Sequence, residues 1–165
     1  MISDSAAIRQ YSPTKTYLLV WLTLGVYWVY WLLRTMEDLN SLSNKRVFNL
    51  SKIVTVGVGI YAAIILSMAP FIGHLITGKP DFLPYVVPSF VIGYCLMIAW
   101  LVFVIRIHMS ICRAIRSCEE SAGLPNPATA RATLLLFFLY FAAVPYLQRH
   151  LNRVVTSISS NLPAA

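Results

Sequence analysis

The chain has 165 residues, 58% of them hydrophobic and only 12% charged, with a mean hydropathy of +0.70. Soluble domains carry roughly 25% charged residues, so this chain has too little wettable surface for a soluble globular fold. Disordered chains are poor in apolar residues, and the same figures exclude disorder.

The fold class expected is an all-α polytopic membrane protein, a single-domain bundle of about four transmembrane helices with helical extensions beyond the bilayer. Four stretches, 16–33, 53–78, 82–105 and 132–148, contain no Asp, Glu, Lys or Arg. A helix needs about 20 apolar residues to cross a hydrocarbon core of roughly 30 Å. The two middle stretches meet that length. The outer two are short and rely on snorkelling by Lys15, Arg34, Arg131 and Arg149 at their ends. None shows barrel-type alternation, and helices satisfy their own backbone in lipid.

In chain order, the tail with Asp4 and Arg9 precedes no small-residue cleavage site, so the first apolar run is read as an anchor. Ser12-Pro13 opens helix 1 as N-cap and first helical residue, and that helix is expected to run on to about Leu42. It carries Tyr17, Trp21, Tyr27, Trp28, Tyr30 and Trp31 as an aromatic interface belt. Asn49 or Ser51 caps helix 2, which should kink or break at Pro70. Gly57, Gly59 and Ala63 allow another helix to approach it. A turn at Gly78-Lys79-Pro80-Asp81 leads into helix 3, which opens with Pro84 and Pro88. That helix continues past the bilayer as an amphipathic extension over 106–121, with Val104, Ile107, Ile111, Ile115 and Cys118 opposite Arg106, Ser110, Arg113, Ser117 and Glu120. Gly123-Leu-Pro-Asn-Pro127 then stops the chain and restarts it, with Gly123 as C-cap, Asn126 as N-cap and Pro127 as the first residue of helix 4.

The net charge of +7 sits between apolar runs rather than on one face, which points to lipid headgroups and topology rather than nucleic acid. Arg106, Arg113, Arg116, Arg149 and Arg153 are the candidate contacts to anionic headgroups. Four crossings divide Lys and Arg 8 to 5, which places both termini outside; a first helix that dips and returns would instead put the termini on opposite sides.

Cys95, Cys112 and Cys118 form no CxxC pair and no zinc spacing, so no metal is expected. Cys112 and Cys118 near a membrane edge fit palmitoylation only as a minor reading. His108 and Cys112 share a helix face, but two ligands make a weak metal site. His74 and His150 read as interfacial residues. Asn49-Leu50-Ser51 matches the glycosylation sequon, with capping the better account. HExxH, GxSxG, P-loop and GxGxxG motifs are all missing from the sequence, and no Asp or Glu lies within the four stretches. No catalytic residue or cofactor is assigned.

Thr23-Leu-Gly25-Val-Tyr27-Trp28-Val-Tyr30-Trp31, followed by Glu37-Asp38-Leu39-Asn40, resembles the opening of the DUF4234 family of small bacterial membrane proteins, with Val26 where Ile is usual. Gln148, Leu151 and Asn152 are similar to that family's closing Q-x-x-L-N motif. The likeness covers about 40 residues at the two ends. It implies a helical protein of the cell (inner) membrane and supplies no reaction. Gly25 is read as a place where a helix or headgroup approaches the aromatic cluster, and Glu37, Asp38 and Asn40 as partners of Arg113 or Arg116.

The function expected is a non-enzymatic accessory or scaffold component of the membrane. Its partners would be anionic lipids and a second copy or another membrane protein. A small oligomeric transporter or channel is the second reading. A lipid-acting enzyme with His108 or His150 as base is the third.

Overall fold

The computed structural model describes residues 10–23, 25–43, 46–80, 83–139 and 142–160. Among them the regular structure is all helical: α1 (Pro13–Leu22), α2 (Val26–Leu42), α3 (Leu50–Ser67), α4 (Ala69–Thr77), α5 (Leu83–Ser121), α6 (Ala130–Phe138) and α7 (Ala143–Ser160). Two stretches are long and apolar enough to cross a membrane, Leu50–Thr77 and Pro84–Ser121. The chain forms two compact units, one of residues 51–106, the other of 1–50 with 107–165.

In the 51–106 unit, α3 and α4 run antiparallel to the first part of α5. A Cβ on Gly57 would meet the Phe103 and Trp100 rings at 3.4 and 3.6 Å, and one on Gly93 would collide with Met68. Phe71 packs edge-on against Phe90, with centroids 5.1 Å apart. Gly57 thus admits its neighbour as the sequence suggests, whereas Gly59 meets nothing within 4 Å. The expected break at Pro70 is present: α3 ends at Ser67 and Pro70 sits in the first turn of α4. Pro88 lies inside α5 without ending it. Gly78 at φ +63° closes α4, and His74 Nδ1 donates to the Lys79 carbonyl at 3.0 Å. Asp81 of the expected turn lies outside the described residues. The outer surface is apolar, with Val58, Leu66, Ile76 and Val87 each more than 60% exposed.

The other unit corrects two expectations about helix continuity. The 16–33 stretch is not one helix but two antiparallel ones. Gly25 takes φ +91°, a region closed to most side chains. Its N–H returns to the Val20 carbonyl at 2.9 Å, while Thr23 Oγ donates to Leu19 O and accepts from Tyr27 N. The limbs then fold together: Tyr11 meets Tyr30 and Arg34, and Thr16 meets Tyr27. Gly25 is therefore a turn residue; among the described residues a Cβ there would meet nothing within 4 Å.

The 132–148 stretch is likewise divided, with α6 ending at Phe138 and α7 starting at Ala143. Pro145 lies in the first turn of α7, where it lacks no needed N–H; within a continuous helix it would clash with the preceding turn. The restart after α5 also differs. Gly123 N bonds Glu120 O and Leu124 N bonds Glu119 O, a Schellman ending with Gly123 at φ +67°. Asn126, however, takes φ +53°, and Thr129 is the N-cap of α6, accepting from Ala132 N. Pro127 thus lies two residues before the N-cap and outside the helix. Ser12 stands at the N-cap position of α1 with Pro13 as its first residue, as expected, but its side chain makes no capping bond; α3 begins directly after Asn49.

The core of this unit is a stripe from each helix. Met36, Leu39, Ile111, Ile115 and Leu147 are wholly buried, each contributing about 1.5–3 kcal/mol by removal from water. The amphipathic reading of 106–121 holds: Ile107, Ile111 and Ile115 are buried while Arg106, Arg113 and Arg116 are exposed.

Candidate functional site

The polar residues of the two motifs converge inside the unit formed by 1–50 and 107–165. Trp31 Nε1 donates to Gln148 Oε1 at 2.7 Å, Gln148 Nε2 donates to Asn152 Oδ1 at 2.9 Å, and Asn152 Nδ2 donates to the Tyr11 carbonyl at 2.7 Å. This relay joins the start of the chain to its end. Helical spacing explains it: Gln148 and Asn152 are four apart on α7 and so share its inner face, with Leu151 buried beside them.

A second link runs from Trp28 Nε1 to His108 Nε2 at 3.2 Å. An indole N–H only donates, so His108 accepts through Nε2 and carries its proton on Nδ1. Its ring lies near those of Trp28, Trp31 and Phe137, with centroids 5.7, 6.4 and 5.1 Å away, and is 1% exposed. His108 and Cys112 do share a face, but the imidazole is engaged by Trp28. Burial pushes the Cys112 thiol up, partly offset by its hydrogen bond with Thr133. Among the described residues no group of three metal-ligating side chains forms.

Asn40 spends both ends of its amide on one residue: Nδ2 donates to Phe48 O at 2.9 Å, and Oδ1 accepts from Phe48 N at 2.7 Å. It thereby pins the buried Phe48 ring under the segment that leads to α3. The acidic residues beside it do not reach α5. Arg34 holds Glu37 at 3.0 Å and Asp38 at 3.5 Å, while Arg116 pairs with Glu120 at 2.7 Å and Arg113 bonds Met109 O and Ser110 Oγ. Helix neighbours three or four residues away outcompete a partner on another element.

A hollow of about 10 Å³, room for about one water, opens beside the relay between Tyr11, Tyr30, Arg34 and Asp38. Burial raises the Asp38 carboxyl above its ordinary value, with Arg34 opposing. Burial also raises the Tyr11 phenol, and Tyr30 adds to the shift.

Glu119 is a site the sequence reading passed over. It is wholly buried. Oε1 meets His150 Nδ1 at 2.7 Å and Arg153 Nη1 at 3.5 Å, and Oε2 accepts from Ala128 N at 2.7 Å. Arg153 also donates to the Pro125 and Asn126 carbonyls, and Tyr146 Oη accepts from Thr129 N. The cluster clamps the 123–129 loop onto α7. Arg153, half-buried, thus spends part of its guanidinium on Glu119 and the loop carbonyls. His150 is likewise buried, against Tyr146 with centroids 4.6 Å apart. Arg106, Arg113, Arg116 and Arg149 stay exposed. The signal for Glu119 was available, because Ile111, Ile115 and Glu119 follow one another at four-residue steps.

Comparison with protein families, with curated proteins and with solved structures finds no match to this chain. Its class rests on its own sequence and fold: a helical protein with two helices able to cross a membrane.

Proposed function

We propose that this chain is a multi-pass protein of the cell membrane that works without catalysing a reaction, as an accessory or scaffold component held in anionic lipid and bound to a membrane-protein partner. One observation carries the reading. Thr23, Trp28, Trp31, Asn40, Gln148 and Asn152 each commit a polar group to another part of the same chain. Polar residues spent on internal bonds build an architecture; residues that turn over a substrate keep polar groups directed at it. The burial of His108 and His150 supports the same reading over one in which either acts as a base.

The DUF4234 resemblance remains part of the proposal. It is supported by the way the two separated motifs meet through the Trp31–Gln148 bond. Membrane attachment is supported by the apolar exterior of α3, α4 and the first part of α5, and the exposed Arg113, Arg116 and Arg149 suit phosphate headgroups.

The test is native-nanodisc purification from the expressing host, with mass spectrometry of every co-purifying protein and lipid. A stoichiometric protein partner with enriched anionic lipid is the expected result. A homo-oligomer with no other protein overturns the accessory reading and moves the small-transporter reading to flux assays.

A further inference from the structure

The α1–α2 and α6–α7 pairs share a design that the four-crossing arrangement does not use. Each is an antiparallel hairpin whose charge-free stretch is divided near its middle by the turn. Lys15 and Arg34 flank the first stretch, and Arg131 and Arg149 flank the second. The limbs 16–22 and 26–33 reach only about 12 Å at 1.5 Å per residue, too short to cross a core of roughly 30 Å.

Both turns sit at the same end of their unit. His108 touches Trp28, three residues past Gly25, and also Phe137, one residue before α6 ends. At the other end, Tyr11 O and Gln10 Nε2 bond Asn152 and Thr156, so α1 runs antiparallel to α7. The turn ends expose large apolar side chains: Leu22 is 78% exposed, Val26 73%, Leu135 68% and Phe138 63%. The first turn closes its own backbone bonds, with Gly25 N on Val20 O, Val26 N on Thr23 O, Trp28 N on Gly25 O and Tyr27 N on Thr23 Oγ. Irregular backbone needs such internal satisfaction where water is absent, since each unsatisfied group there costs several kcal/mol.

We infer that both hairpins are re-entrant: their apolar tips dip into the acyl chains of one leaflet and return, so that the chain crosses the membrane only twice, through α3–α4 and α5. Charge supplies an independent check. With two crossings, every Lys and Arg except Lys79 falls on one side, twelve of the thirteen, against 8 to 5 for four crossings. Lys/Arg excess marks the cytoplasmic face, so both termini, the 34–52 segment and the 106–131 segment are cytoplasmic. The flanking Lys15, Arg34, Arg131 and Arg149 then lie at the level of anionic headgroups. The inference rests on the membrane reading above and deepens it by naming the surface in contact with lipid.

The test uses the full chain in right-side-out and inverted membrane vesicles. Thr14→Cys, Ser41→Cys, Lys79→Cys and Ser160→Cys are each labelled with a membrane-impermeant maleimide above the background of the parent. Two crossings predict that 14, 41 and 160 label from the cytoplasmic side and 79 from the opposite side. Labelling of 14, 79 and 160 from one side with 41 on the other restores four crossings and overturns the inference.

Leu22→Cys and Phe138→Cys report on the tips. The expected result is at least about tenfold less labelling than at 160 in intact vesicles, with fluorophores at both positions quenched by brominated phospholipid. Free aqueous labelling of the tips, or shielding without quenching, overturns lipid as the occupant; the latter names a second copy or a protein. Alkaline carbonate extraction run beside these assays separates the two proposals. A chain lost from the membrane pellet defeats the membrane reading itself, whereas a retained chain with the wrong labelling pattern defeats only the re-entrant arrangement.

Discussion

The Trp31–Gln148 bond offers the sharpest energetic test of how the ends of the chain are joined. Trp31 is 3% exposed and Gln148 1%, and the bond is 2.7 Å long. Trp31→Phe keeps an aromatic ring but removes the one donor to Gln148 Oε1 found among the described residues. An orphaned buried acceptor costs about 1–3 kcal/mol, and the smaller ring adds a cavity term. Gln148→Leu keeps the volume and orphans Trp31 Nε1 and a partner of Asn152 at similar cost. Each single variant should therefore lose about 2–3 kcal/mol. The double variant removes both partners of the bond, so it should fall short of the sum by about 1–2 kcal/mol, within the range seen for contacting pairs. Reversible unfolding in lipid nanodiscs, read by a reporter away from the substituted tryptophan, gives the four free energies. Additivity within about 0.3 kcal/mol would refute the relay.

Other perturbations follow from the same geometry. Gly25→Ala should cost about 1–2 kcal/mol, because φ +91° is strained for an L side chain although the space is open; Gly59→Ala, where a Cβ also meets nothing, should be neutral or slightly stabilising. Glu119→Ala, leaving His150, Arg153 and Ala128 N without their acceptor, should destabilise by about 3–5 kcal/mol and expose the 123–129 loop to limited proteolysis; a loop as resistant as in the parent would contradict the clamp. Asp38 binds its proton more tightly in the folded chain than in the unfolded one, so its contribution to stability falls as pH rises from about 3.8 through its raised folded value. Asp38→Asn should flatten that part of the stability–pH curve and leave the protein more stable at neutral pH. Cys112, buried and with its thiol pushed up, should resist maleimide in the folded protein and react on denaturation.

The Glu119 cluster and the aromatic–amide relay divide the work of holding one unit together. The relay ties α2, α7 and the segment before α1; the cluster ties α5, the 123–129 loop and α7. Both use polar groups deep in a helical core, where a paired group stabilises and an unpaired one is costly. That dependence explains why so many of the motif residues are polar in a chain so rich in apolar ones. The two tests address separate sets of bonds, Trp31 with Gln148 in one and Glu119 with its partners in the other.

Composition alone pointed to long apolar helices, because 12% charge leaves wide stretches of the chain without a charged residue, and two described stretches are long and apolar enough to cross a membrane. Local signals placed the helix ends that depend on neighbouring residues: Ser12-Pro13 opening α1, Pro70 breaking α3 from α4, Gly123 closing α5, and the buried stripe through Ile107, Ile111 and Ile115. These are short-range effects of φ preference, missing N–H groups and helical period. What a charge-free run does over 17 or 18 residues is a different kind of question. Hydropathy counts residues and not direction, so a helix of that length and a hairpin of two half-length helices carry the same count. Only folding decided between them, through the left-handed Gly25, the Thr23 hydroxyl that closes the turn, and Pro145 opening α7. Folding also decided which partner each motif residue finds, since a bond between Trp31 and Gln148 spans 117 positions that no local pattern connects.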